Sequence, residues 1–124
     1  MTALAVFLGG GLGAVARWAV TVGLGRLWPH ALLPWATLGV NVVGCFTLGL
    51  LVPLFAHRPQ WSPTVRAGVT AGVLGGLTTF STFGIETLSV WRTAPWLGAL
   101  NLGLQLGLGL GAGAVGLWLG GKLA

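Results

Sequence analysis

Gly72-Val73-Leu74-Gly75-Gly76-Leu77-Thr78-Thr79-Phe80-Ser81-Thr82-Phe83-Gly84 stands at the centre of an apolar run, and how it is read decides the fold. The run extends from about Val65 to Val90, long enough to cross hydrocarbon, which takes roughly 20 helical residues at ~1.5 Å each. Yet its middle is a poor helix. Two adjacent glycines cost about 1 kcal/mol each in a helix interior, and the pairs Thr78-Thr79 and Ser81-Thr82 weaken it further. The reading is a membrane helix broken near its centre. Non-helical backbone at membrane depth persists only where protein or a water-filled cavity satisfies its carbonyls. Freed carbonyls aimed at one spot can coordinate a cation, whereas the N-terminus of a resumed half-helix favours an anion. The alternative is a glycine-packed helix whose hydroxyls bond back to its own carbonyls.

Three further apolar runs surround this one: about Leu4 to Leu24, Leu33 to Phe55 and Trp96 to Leu119. They are separated by Arg26 with Trp28-Pro29-His30, by His57-Arg58-Pro59 and by Trp91-Arg92. Trp28, Trp35, Trp61, Trp91, Trp96 and Trp118 fall near the run ends, where an interfacial aromatic belt belongs. Composition agrees: of 124 residues 55% are hydrophobic and only 6% charged, against about a quarter charged in soluble proteins. The expected fold is an all-α membrane protein of four transmembrane helices, small enough to be one domain over residues 1–124. A soluble enzyme is excluded on that ground. A nucleic-acid binder is excluded too, because the cations behind the net charge of +5 are scattered rather than gathered into a stripe. The start, Met1-Thr2-Ala3-Leu4, lacks the positive region of a secretory signal, so the first run is expected to be retained. Cys45, the single cysteine, reads as a small buried hydrophobe, and His30 and His57 as interfacial loop residues.

Orientation is undetermined by charge. With four spans, both termini share a side with Arg58, Arg66 and Lys122, while Arg17, Arg26 and Arg92 belong to the other. An even split gives the positive-inside bias little to act on. Insertion both ways up, with opposite copies pairing into an antiparallel dimer, is expected; a single topology fixed by one dominant loop charge is the alternative. The 23 glycines point to close association. Gly9/Gly13, Gly68/Gly72/Gly76, Gly103/Gly107/Gly111, Gly109/Gly113 and Gly116/Gly120 stand four apart, the interval at which small residues let helix backbones approach.

Polar groups at membrane depth supply the candidate site. Phe80 and Phe83, three apart, share one helix face; they either pack or turn their positive ring edges to a small anion. Such edges bind without the full charge that would hold an ion too tightly to leave. Asn41 lies mid-way along the second run, and Asn101 and Gln105 lie one turn apart on the fourth. Their amides either donate to an anion or bond between helices. Glu86, the only acid, is a functional candidate by its depth, or a group that reaches water or pairs with an arginine. Arg17 forms an electropositive mouth or snorkels to the headgroups.

Taken together, Gly9-Gly10-Gly11-Leu12-Gly13-Ala14-Val15-Ala16-Arg17-Trp18, Thr37-Leu38-Gly39-Val40-Asn41-Val42-Val43-Gly44 and Gly75-Gly76-Leu77-Thr78-Thr79-Phe80-Ser81-Thr82-Phe83 resemble the signatures of the CrcB/Fluc fluoride ion channels. Order, spacing and layout match along nearly the whole chain, and the third segment is the most specific. The resemblance implies an antiparallel, dual-topology homodimer in the inner (plasma) membrane, with two anion pathways built from both subunits. It implies passive, selective fluoride export: hydrogen fluoride enters as the neutral acid, dissociates inside and leaves as the anion. It implies a structural sodium, not transported, held by main-chain carbonyls at Gly75 and Thr78. The pathway residues it implies are Asn41, Phe80, Phe83, Ser81 and Thr82, with Arg17 and Glu86 nearby. The chain departs from the pattern at Gly84, where many members have serine, at Ala36, which replaces a glycine, and on the fourth span, which has Asn101 and Gln105 and no tyrosine.

Two other readings compete. A small four-helix multidrug exporter needs a membrane-buried carboxylate, normally in the first span, and the first span here has none. A non-transporting membrane assembly protein needs only glycine packing, and leaves the third run's polar centre and paired phenylalanines unexplained. No nucleophile–base pair or metal cluster stands at a spacing that suggests an enzyme.

Overall fold

The computed structural model describes residues 1–124, and all of its regular structure is helical. Four helical spans, Thr2–Leu27, Trp35–His57, Pro63–Thr93 and Pro95–Leu123, are long and apolar enough to cross a membrane. We label the helices α1 (Thr2–Leu27), α2 (Trp35–His57), α3 (Pro63–Ala67), α4 (Gly75–Leu77), α5 (Phe80–Thr93) and α6 (Pro95–Leu123); a π-helical segment, Gly68–Leu74, joins α3 to α4. Most ends lie two or three residues beyond the apolar runs. Ser62 Oγ accepts from Val65 N at 3.3 Å with Pro63 following as the first helical residue, a position where its missing N–H costs nothing. Pro34 precedes α2 and moves its start from Leu33 to Trp35.

The third span is not uniform. Gly75 is helical (φ −65°, ψ −35°), helical geometry stops after Leu77, and Thr78 (φ −82°, ψ 156°) and Thr79 (φ −153°, ψ 126°) are extended. α5 then starts at Phe80, capped by Thr79 Oγ1, which accepts from Thr82 N at 3.2 Å.

The tight neighbours are not consecutive in sequence. α1 packs along the π-helical segment and α4, and α2 packs along α6, so each close pair joins two spans that run in the same direction. Glycine makes both seams possible. A methyl group added at Gly13 would collide with the Val73 carbonyl, and one at Gly76 with the Gly10 carbonyl. In the second pair, additions at Gly116 and Gly49 would meet the carbonyls of Phe46 and Gly113. Backbones in direct contact gain dispersion attraction where lipid supplies no hydrophobic incentive. Four of the glycine rows lie in or beside these seams; Gly103, Gly107 and Gly111 do not, and face open space. The polar end contacts agree with both termini lying beside the second loop: Thr2 Oγ1 and Thr64 Oγ1 are 2.9 Å apart, and Arg58 donates to the Leu123 carbonyl at 3.0 Å.

Candidate functional site

The site lies where the two helix pairs meet. Asn41, on α2, faces the extended residues of the third span and grips Thr79 twice. Its Oδ1 accepts from Thr79 N at 2.8 Å, and its Nδ2 donates to Thr79 O at 3.0 Å. The second Nδ2 hydrogen goes to Gln105 Oε1 on α6, at 3.1 Å. Each member of this chain serves an atom that would otherwise be buried without a partner, which would cost about 1–3 kcal/mol per group. Gly44, one turn on from Asn41, leaves room for the Thr78 methyl; a side chain there would collide with it.

The same contacts redirect two main-chain amides. In an unbroken helix the amide of Thr79 would bond to the Gly75 carbonyl, and that of Thr82 to the Thr78 carbonyl. Here Thr79 N bonds to Asn41 Oδ1 and Thr82 N to Thr79 Oγ1. The Thr78 hydroxyl does bond back, donating to the Leu74 carbonyl at 2.9 Å, whereas the Thr79 hydroxyl caps the next helix and meets Thr82 Oγ1 at 3.0 Å and Ser81 Oγ at 3.4 Å.

A cleft of about 360 Å³ opens over this junction, lined by Asn41, Gly75, Thr78, Thr79, Phe80, Phe83 and Gln105 among others. Phe80 and Phe83 stand edge to face, with ring centroids 5.6 Å apart and planes at 71°. Their situations differ: Phe83 is 6% exposed and Phe80 is 80% exposed. Ser81 and Thr82 are also exposed on the outer face of α5. A larger recess of about 960 Å³, around Leu24 to Trp35, sits at the first loop, away from these groups.

The other candidates are distributed around the cleft and do not line it. Glu86 is half-buried beside Thr37 of α2, and its Oε2 is enclosed without a hydrogen-bond partner. Arg17 is half-buried on α1, ten residues before Leu27, where that helix ends. Asn101, 1% exposed, donates to Thr87 Oγ1 at 2.7 Å, and that hydroxyl donates to the Phe83 carbonyl at 2.7 Å. Of the two amides on α6, then, Asn101 braces α5 and Gln105 reaches the cleft. Thr79 is the residue whose role the sequence reading did not single out. Its signal was local: a threonine, a common N-cap residue, three residues before the amide it caps.

The profile of a family described as CrcB-like protein, Camphor Resistance (CrcB), matches residues 4–120. The chain belongs to the CrcB family. Membership takes in nearly the whole chain, with all four spans. Among its relatives, a protein of Rhodospirillum centenum is 54% identical over 83 residues, 67% of this chain and 65% of that protein. One of Serratia proteamaculans is 38% identical over 124 residues, 96% of each chain, and one of Proteus mirabilis 37% over 118 residues, 94% of each. All three are named fluoride-specific ion channel FluC. Family and spans together make this a multi-pass membrane protein.

Proposed function

We propose that the chain is a fluoride-selective channel that lets the anion leave the cytoplasm passively across the inner (plasma) membrane. The observation that carries the reading is the cleft itself: it is lined at membrane depth by amide and hydroxyl groups and an edge-to-face phenylalanine pair, and holds no full positive charge. Fluoride is small and strongly hydrated, so its dehydration is offset by several weak donors, and a site without a fixed cation lets it go again. The relatives' name supplies the identity of the ion; the lining supplies a reason for it. Asn41, Phe80, Phe83, Ser81 and Thr82 form the pathway in this reading, with Glu86 beside it and Arg17 toward its mouth. The test is fluoride efflux from liposomes holding the purified protein, with chloride as control. Rapid fluoride release and retained chloride are expected; equal release of both, or of neither, would refute the reading.

The working unit in this reading is an antiparallel homodimer. Ser81, Thr82 and Phe80 are exposed on one chain, and hydroxyls at membrane depth need partners that lipid does not offer. A second copy inserted the other way covers them and completes the path, and the even split of cations permits both insertions. A C-terminal reporter active on one side only, and its opposite, should both give signal; signal from one alone counts against dual topology.

A structural sodium belongs to the same reading, at the Gly75 and Thr78 carbonyls. These two oxygens suit it, because the amides that would close on them are bonded elsewhere. Two oxygens cannot enclose an ion, so a second copy would have to contribute its own. When bound, the ion supplies a fixed positive charge that ties the third spans together. Replacing sodium on both sides by a large organic cation should weaken the dimer or silence flux, and unchanged flux and dimer would count against it.

A further inference from the structure

We propose that Arg58 and Arg66, with Lys122 beside them, form a binding site for the phosphate of an anionic phospholipid, at the end of the bundle where the second loop meets Leu123. Three hydrogen bonds gather these residues from the loop, the third span and the end of α6. Arg66 donates through Nε to the Trp61 carbonyl at 2.9 Å and through Nη2 to the Arg58 carbonyl at 3.1 Å. Arg58 in turn donates to the carbonyl of Leu123, the neighbour of Lys122, at 3.0 Å. Aromatic rings restrain two of the side chains further. The Arg66 guanidinium lies 5.8 Å from the centre of the buried Phe55 ring, which the Trp61 ring meets at 5.6 Å, and Lys122 Nζ lies 4.0 Å over the Trp118 ring. Arg58 and Lys122 are exposed, and Arg66 is half-buried.

These bonds position the cations without neutralising them. Every acceptor is a main-chain carbonyl. The one acidic side chain, Glu86, lies beside Thr37, at the far end of α2 from Arg58. A guanidinium has five N–H donors; Arg58 uses one here and Arg66 two, so both keep donors for an oxyanion. Like charges gathered without a counter-ion repel, and the arrangement therefore fits an anion supplied from outside the chain. Arginine's planar fork matches phosphate oxygens, and a fork already held in place loses little freedom on binding. Depth selects the source of the phosphate. Trp61 and Trp118 belong to the interfacial belt, level with the headgroups. Val65, Trp118 and Leu123 expose apolar surface along which acyl chains can lie, a surface that soluble phosphate has no use for. The inference is independent of the ion conducted, and it holds whichever way up the chain inserts, since both leaflets carry headgroup phosphates.

The experiment is native mass spectrometry of the purified protein in detergent, titrated with dioleoylphosphatidylglycerol or, as control, dioleoylphosphatidylcholine. Saturable binding of one phosphatidylglycerol per chain is expected, with phosphatidylcholine clearly weaker. Arg58→Gln and Lys122→Gln should each weaken phosphatidylglycerol binding by about fivefold, the scale of one cation at an anionic surface. Arg26→Gln and Arg92→Gln remove the same charge from exposed positions at the opposite end and should leave binding unchanged. Equal loss in all four variants overturns the proposal, because it reports net charge rather than a site. Equal affinity for the two lipids overturns it as well. Displacement of the lipid by millimolar inorganic phosphate would also refute it, since the site would then be one for a soluble anion. Should the Arg58 and Lys122 variants fail to fold, unmutated protein in phosphatidylcholine vesicles doped with a photoactivatable phosphatidylglycerol decides the matter. Cross-links on the second loop or the last turn of α6 are expected; cross-links confined to other parts of the chain overturn the assignment.

Discussion

The seams inside each helix pair and the junction between the pairs hold the same bundle by opposite means. Inside the pairs, α1 meets the third span and α2 meets α6 through glycines, and carbonyls stand where side chains would otherwise be. Between the pairs, directed polar bonds join the packing of Gly44 on Thr78 and of Gly98 on Trp91: Asn41, itself bonded to Gln105, holds Thr79, and Asn101 reaches through Thr87 to Phe83. At their closest glycines, seams of the first kind leave no room for a side chain, and they carry no chemistry. The junction has slack in packing, leaves a cleft of about 360 Å³, and is sensitive to the identity of donors and acceptors. Stability and conduction are thereby assigned to different residues, which makes the two separable by mutation.

The largest effect is expected in a seam. In Gly13→Val the first added carbon already collides with the Val73 main chain, which cannot rotate away as a flexible side chain would. Overpacking typically costs ~1–3 kcal/mol, and backbone against backbone belongs at or above the upper end. Gly116→Val should do the same against Phe46 of the other pair. Both variants are expected to lose the monodisperse peak in detergent chromatography. Folded protein with normal fluoride flux from either would show that the helix pairs are looser than their contacts imply.

At the junction the expected outcome reverses: folded protein with damaged conduction. Asn41→Leu removes the two bonds that hold Thr79 extended and frees Gln105 to turn. With ~1–3 kcal/mol at stake for each buried group left unpaired, fluoride flux should drop by about tenfold or more, while the seams still hold the bundle. Dimer content and thermal midpoint in detergent separate this outcome from unfolding. A variant that unfolds outright would join Asn41 to the seams and erase the distinction.

Phe83→Ile and Phe80→Ile sharpen it within the junction. Isoleucine keeps much of the apolar bulk and loses the positive ring edge and the edge-to-face contact at 5.6 Å. Aromatic contacts are worth ~0.5–1.5 kcal/mol beyond their area, which corresponds to a fall in flux of up to roughly tenfold. Leu50 and Val69 lie away from the cleft and serve as controls. The conservative changes Leu50→Val and Val69→Ile should alter flux much less. Unchanged flux in both phenylalanine variants, with dimers intact, would leave the rings as packing groups.

The sequence was most legible where a property depends on many residues at once. Four apolar runs of sufficient length, tryptophans at their ends and scarce charge determine the spans, which differ from those runs at their ends and inside the third. Glycine spacing identified faces able to come close. It could not identify their partners, because an interval of four looks the same in a seam and on an open face. The stretch from Gly72 to Gly84 drew attention through its glycine doublet, yet Gly75 is helical and the extended residues are Thr78 and Thr79. Their conformation is held by Asn41, which is 38 positions distant in sequence, so local propensity alone had no access to it. The division of labour among Asn41, Asn101 and Gln105 was likewise out of reach, since it is decided by which amide hydrogens are already in use. The π-helical turn over Gly68–Leu74 has no local signature in the residues that form it.

The smallest effect is expected from the one glycine row outside every seam. Gly103, Gly107 and Gly111 have the same spacing as the glycines that pack α1 on the third span, but a side chain added at any of them meets nothing within 4 Å. All three are exposed, on the side of α6 away from Asn101 and Gln105. Two forces act on Gly107→Ala. No neighbour opposes the methyl group, and alanine exceeds glycine in helix propensity by about 0.8–1.0 kcal/mol in a helix interior. The variant should therefore be as stable as the parent or slightly more so, with a thermal midpoint raised by a few degrees at most and fluoride flux unchanged. Gly107→Leu extends the test, since a leucine there needs lipid or open space around it. Wild-type dimer content in Gly107→Leu would mean that the row faces lipid. Loss of the dimer with an intact monomer would mean that a second copy closes over this face, and would turn the third glycine row into a seam like the other two.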